Sequence, residues 1–251
     1  MTCFLGGKGE ESLRGGRRLG AALPDYRDFD RLNCLTQVVG EFENITPLRV
    51  GAGREVSLES TVDIGVFRVG GVPCVPGSSL KGVMRSLAEA FQRSKNPEAV
   101  HDPWEKEKVE KEVKEGFCPI CGIFGNTELA SHVKIYDSYP LTKENLIFVK
   151  PGVAISREWG SVRTGPFHEE FVRPGVRWNF RMDAVNILVG PDVSEERGKL
   201  LYSILQTFKV YGLQVGARKT LGAGLIVLRK AEGTIFTLEK GEFKRMGGWT
   251  L

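Results

Sequence analysis

No apolar run in this chain approaches the roughly 18 residues that a membrane span requires, so no membrane partner is expected. The N-terminus has no basic stretch followed by a long apolar one, and no secretory signal is expected there. Cysteine is scarce: there are five in 251 residues, and only Cys118 and Cys121 are closely spaced. That excludes a disulfide framework and points to a reducing, cytoplasmic setting with one possible metal site. The three histidines, His101, His132 and His168, fall in separate segments, which disfavours paired-histidine acid–base catalysis. A net charge of only +4 excludes a globally basic coat. Any polyanion site must come from local clustering.

What is present centres on Pro76-Gly77-Ser78-Ser79-Leu80-Lys81-Gly82-Val83-Met84-Arg85. It follows a short apolar run, residues 72–75, and opens a periodic helix. Leu80, Val83, Met84, Leu87 and Phe91 recur at i, i+3, i+4, i+7 and i+11, one face of a 3.6-residue helix. Ser78 or Ser79 can cap the first amides, and for the serines alone an ordinary capped helix is the stronger reading. Lys81 and Arg85, one turn apart near a positive helix end, shift the balance toward a phosphate site.

Glycines and Arg14, Arg17 and Arg18 without periodicity make residues 1–30 an expected flexible arm. Residues 31–43 alternate as a first strand, residues 48–54 run into a glycine turn bearing Arg54, and residues 62–69 read as another strand. Past Phe91, Pro97 and Pro103 break the helix, and residues 104–114 are dense in Glu and Lys. Only Val109 and Val113 sit at helical spacing there, so an inserted lid over about 97–130 is expected. An arginine-rich hairpin over about 150–180 carries Arg157 and Arg163. A second helix follows, with an Asp192/Glu195 capping-box pattern and an apolar face of Leu201, Ile204, Leu205, Phe208 and Tyr211. The order of strands and two helices predicts an α+β fold: a split-βαβ sheet with helices on one face, in a single domain over 31–251.

The glycine-rich run 216–224 lacks the Gly-Lys-Ser/Thr ending of a phosphate-binding P-loop and precedes a strand, not a helix. It reads equally as a tight turn before an edge strand or as a loop whose Arg218 and Lys219 lie against a sugar-phosphate backbone. Cys118-x-x-Cys121 is half of a zinc site; His101 is the best third ligand, and no fourth is evident. Asp63, shortly after the glycine turn, could hold a divalent ion, although on spacing alone a solvated strand acid is the stronger reading.

Taken together, residues 48–53, the string 76–82 and the loop 216–224 resemble the RAMP superfamily of CRISPR systems, and the backbone subunit of type III Csm-like effector complexes in particular. Cys118-Pro119-Ile120-Cys121-Gly122-Ile123-Phe124-Gly125 resembles the end of that family's zinc-bearing insertion. The resemblance spans about residues 35–230. It implies a modified ferredoxin-like (RRM-like) sheet with a lid and a β-hairpin thumb, and stacking with copies of itself and other CRISPR subunits along a guide RNA. Implied guide or target RNA contacts are Arg54, Ser78, Ser79, Lys81, Arg85, Arg157, Arg163, Arg218 and Lys219. Asp63 falls where a member of that branch would cut target RNA with Mg or Mn. A non-catalytic filament subunit and a standalone endonuclease for precursor guide RNA are the alternatives.

Overall fold

The computed structural model describes residues 24–51, 64–142 and 144–251. Arg54 and Asp63 lie outside the described residues, as does the arm before residue 24.

The main sheet is antiparallel, in the order β10-β9-β1-β7-β4, with a short β8 beside β9. Its strands are β1 (Cys34–Asn44), β4 (Val133–Ile135), β7 (Arg177–Val185), β8 (Leu213–Gln214), β9 (Leu225–Glu239) and β10 (Glu242–Thr250). Between them run α1 (Gly77–Lys95), α2 (Lys106–Glu115), α3 (Pro119–Phe124) and α4 (Glu196–Val210). The chain order β1-α1-β4-β7-α4-β9, with β7 inserted between β1 and β4, is the split βαβ arrangement of a ferredoxin-like fold. β10 extends that sheet at one edge. The small hairpin β2 (Arg68–Val69) with β3 (Val72–Pro73), and the long hairpin β5 (Ile147–Ile155) with β6 (Val162–Val172), stand apart from it.

Alternation along the strands sends one set of side chains toward the helices: Val38 and Phe42 from β1, Trp178, Phe180 and Met182 from β7, Ile226 and Leu228 from β9. A bulge at Arg229 of β9, opposite Glu41 and Phe42, lets both Leu228 and Ala231 face the core. α1 answers with Leu80, Met84 and Ala88, α4 with Leu201, Ile204, Leu205 and Phe208. Burying each large side chain stabilises the fold by about 1.5–3 kcal/mol, which outweighs the modest helix propensity of either segment.

Several local expectations differ from the structure. Neither Ser78 nor Ser79 caps α1: Pro76 holds that position, and Asp137 Oδ1 accepts the Gly77 amide at 2.8 Å. A carboxylate delivered from two residues past β4 serves the helix start better than a neutral hydroxyl, because it also meets the dipole. Glu195 does not close a capping box; it pairs with Arg197 instead. Tyr211 ends α4 at 79% exposure and lies off its buried face. Within 62–69 the described residues form isolated bridges at Ile64 and Val66 and the two-residue β2. Residues 24–30, expected in the arm, pack on the body. Tyr26 lies under Arg197, 4.0 Å from ring centroid to guanidinium, and Asp28 reaches His132 Nε2 at 2.8 Å. Among the described residues no helix is long and apolar enough to cross a membrane.

Candidate functional site

Three features carry candidate chemistry: the start of α1, the glycine-rich loop against the base of the β5–β6 hairpin, and a compact cluster in the lid.

Gly77 can begin α1 where it does because the helix presses onto β4's backbone. A Cβ there would stand 2.1 Å from Ile135 O. Ser78 is exposed, and Ser79 and Lys81 are half-buried one turn on. Burial first, then the positive field of Arg85, hold the Lys81 ammonium below its usual value, and no carboxylate among the described residues contributes. Arg85 is not a free contact. Its Nε donates to Glu89 at 2.9 Å and its Nη1 to the Gly125 carbonyl at 2.8 Å, tying α1 to the lid.

Two glycines of the glycine-rich loop, Gly216 and Gly224, press against protein backbone. A Cβ at Gly216 would meet Arg49 O at 2.1 Å, and one at Gly224 would meet Val215 O at the same distance. Both have positive φ, the region open chiefly to glycine. Arg218, itself left-handed at φ 60°, donates through Nε and Nη2 to the Glu169 carboxylate of β6. Arg49 Nη1 stands 3.2 Å from Glu169 Oε1 on the other side, without the alignment of a hydrogen bond. Burial alone would raise the Glu169 pKa. The Arg218 hydrogen bond and the fields of Arg49 and Arg218 outweigh it, so the carboxyl stays below its usual range. Arg218 is thus a paired side chain, while Lys219 remains exposed.

Between this loop and the hairpin base is a cleft of about 340 Å³, lined by Lys150, Val153, Phe167, Glu169, Arg218 and Leu221 among others. Arg157 and Arg163 are exposed near the hairpin's outer end, beside an exposed Trp159. The cleft offers apolar walls with cations at its rim, which suits a ligand carrying both flat rings and negative charge.

In the lid, His101, Cys118 and Cys121 do come together, and a residue with no signal in the spacing joins them. Their ligand atoms and one oxygen of Glu112 all lie within 4.8 Å of one another. His101 Nε2 is 3.6 Å from Cys121 Sγ and 3.9 Å from Cys118 Sγ. A tetrahedral zinc with ordinary Zn–S and Zn–N bonds separates such atoms by about 3.6 Å, so the donors fit. Glu112 Oε1 is 2.8 Å from His101 Nε2 and also accepts the Cys118 amide, while Oε2 accepts from Asn126. The hydrogen bond to Cys118 leads the causes that raise the His101 pKa to about 9. Glu112 sits beside Val109 and Val113 on the one buried stripe of an otherwise charged helix, which was its only trace in the sequence.

The model of the RAMP superfamily matches residues 41–227 of this chain. The CRISPR system Cmr subunit Cmr6 of Pyrococcus furiosus is 25% identical over 249 residues, covering 80% of this chain and 71% of its own. The Cmr6 subunit of Saccharolobus solfataricus is 27% identical over 213 residues, covering 80% of this chain and 62% of its own. The CRISPR system Cms endoribonuclease Csm3 of Enterococcus italicus is 42% identical over a shorter stretch of 53 residues, 20% of this chain and 25% of its own. Among solved structures, a chain of the type III-B Cmr-beta complex bound to cognate target RNA superposes with a TM-score of 0.53 at 22% identity. The match covers 79% of this chain and 60% of that one, and it establishes a shared fold.

Proposed function

The chain belongs to the RAMP superfamily, and we propose that it is a subunit of a type III CRISPR effector complex that holds single-stranded RNA by its backbone. The observation that carries this is Lys81: a half-buried ammonium beside Arg85 at the start of α1, with no carboxylate among the described residues to neutralise it. A bound phosphate would relieve both the burial cost and the repulsion. Ser78, Ser79 and Lys219 supply further contacts, and Arg157 and Arg163 do so from the hairpin. The cleft at the hairpin base, lined by Lys150 and by Arg218 next to Lys219, adds a recess to this surface. Contacts of this kind set register without reading sequence. Relatives named as Cmr and Cms subunits support the assembly, with guide RNA, target RNA, other subunits and copies of this chain as partners.

The test is binding of single-stranded RNA by the purified chain across a salt series. Binding that weakens linearly in log–log form agrees with the reading; no binding at low salt overturns it.

Target cleavage through Asp63 with Mg or Mn is the second reading, favoured by the identity with a relative named as an endoribonuclease. Reconstituted complex carrying Asp63→Ala would lose regularly spaced cuts while keeping guide RNA. Unchanged cutting would leave a binding subunit alone.

Structural zinc belongs to the same proposal. His101, Cys118 and Cys121 would hold it, with Glu112 as fourth ligand, and the ion would stitch the lid's two ends together.

A further inference from the structure

The sheet face turned away from the helices carries a small built surface that the sites above do not include. Tyr136 continues β4 by one residue, and its amide donates to Arg181 O on β7 at 3.1 Å. Arg181 in turn lies opposite Val39 of β1. Their chain neighbours Met182 and Val38 are fully buried, so alternation turns Tyr136, Arg181 and Val39 outward in one transverse row. Tyr136 is 41% exposed and Val39 49%.

The pair within this row is locked in place. The Arg181 guanidinium lies 4.6 Å from the Tyr136 ring centroid. Asp183, almost wholly buried, accepts from Arg181 Nη2 at 3.0 Å and from the Tyr136 hydroxyl at 2.8 Å. One carboxylate thereby fixes two flat groups, and its charge is neutralised by Arg181. Lys134, opposite Asp183 on the same face, is exposed and adds a positive charge.

We propose that Tyr136 and Arg181 form a stacking platform for an unpaired base of the RNA held at the start of α1, with Lys134 meeting an adjoining phosphate. This rests on the RNA-binding reading above. The distance between the two features is short. Gly77 packs against the backbone of residues 135–136, and its amide donates to Asp137. Only the edge of β4 separates Ser78, Ser79 and Lys81 from Tyr136. An RNA backbone held at the helix start can therefore turn a base over that edge onto the sheet. Aromatic and guanidinium planes bind bases through their π faces, and restraint by Asp183 lowers the ordering cost. The row continues onto β9 at the exposed Glu232, opposite Val39, so the RNA uses its β4–β7 end, where Arg181 neutralises Asp183 and Lys134 is cationic.

The experiment measures the full-length chain with a fluorescent single-stranded RNA and with the same strand carrying abasic sites. Tyr136→Ala is expected to weaken binding of the intact strand about tenfold, with an unchanged salt slope, and to leave the abasic strand unaffected. Tyr136→Phe keeps the ring and is expected to bind within twofold of the native chain. Thermal melting of both variants checks the fold, and photo-crosslinking of the native chain to the RNA should mark Tyr136. Native affinity in Tyr136→Ala overturns the platform while leaving the backbone reading intact. So does a loss in Tyr136→Phe as large as in Tyr136→Ala, because the hydroxyl network and not the ring would then be responsible. Failure of the native chain to bind any RNA overturns both.

Discussion

Arg218 of the glycine-rich loop and Glu169 of β6 form a two-point ion pair, Nε to Oε2 at 3.3 Å and Nη2 to Oε1, that clamps the loop to the base of the hairpin. Arg49 approaches the same carboxylate from the buried side. One acid therefore holds three segments that are distant in sequence, and it lines the cleft that they enclose.

Among the described residues Glu169 is the one carboxylate paired with Arg49, so Glu169→Ala leaves a buried guanidinium uncompensated. The expected loss is about 3 kcal/mol in chemical denaturation. Arg218→Ala should cost about 1 kcal/mol, because Glu169 keeps Arg49 and Arg218 is partly exposed. Equal losses would contradict this division.

The same carboxylate sets an acid limit. Its folded pKa lies below the ordinary value of 4.5, so its contribution is complete above that value and is lost as pH falls through the lower folded one. Hydrogen exchange of residues 216–224 should accelerate on acidification through that range. In Glu169→Gln the loop should exchange fast at every pH; a loop that stays protected would exclude the clamp.

The two glycines of the central motif have opposite roles. Gly77→Ala drives a Cβ into Ile135 O and is expected to destabilise the protein by about 1–3 kcal/mol. Gly82 has open space around its Cβ position within α1, and Gly82→Ala should stabilise by about 0.5–1 kcal/mol. Melting temperatures that shift the same way for both would be inconsistent with this geometry.

Lys81→Ala is expected to weaken RNA binding at low salt and to lower the log–log salt slope by about one. Arg85→Ala should instead act on stability, since its donors go to Glu89 and Gly125. An unchanged slope in Lys81→Ala would remove that lysine from the interface.

Elemental analysis of protein purified without chelator should give one zinc per chain. Cys121→Ser should abolish it, and Glu112→Ala should lower affinity about 10–100-fold. A metal-free sample that melts like the loaded one would exclude structural zinc.

The periodicities of α1 and α4, the alternation of β1 and the charged lid were legible because each is a local pattern whose buried face is written within one segment. The string 76–82 and the Cys118–Cys121 pair were legible for the same reason. Tertiary structure alone decided the rest, because sheet order and not chain order makes the neighbours. Asp137 caps a helix that begins 60 residues earlier, displacing the serines beside it. Glu169 reaches Arg218 across 49 residues and turns an expected RNA contact into a clamp. Glu112 looked like any acid of a solvated helix until the fold carried it to His101 and the cysteines. Charge and spacing announce which side chains can bind. Burial, which depends on what the fold brings alongside, decides which of them are already taken.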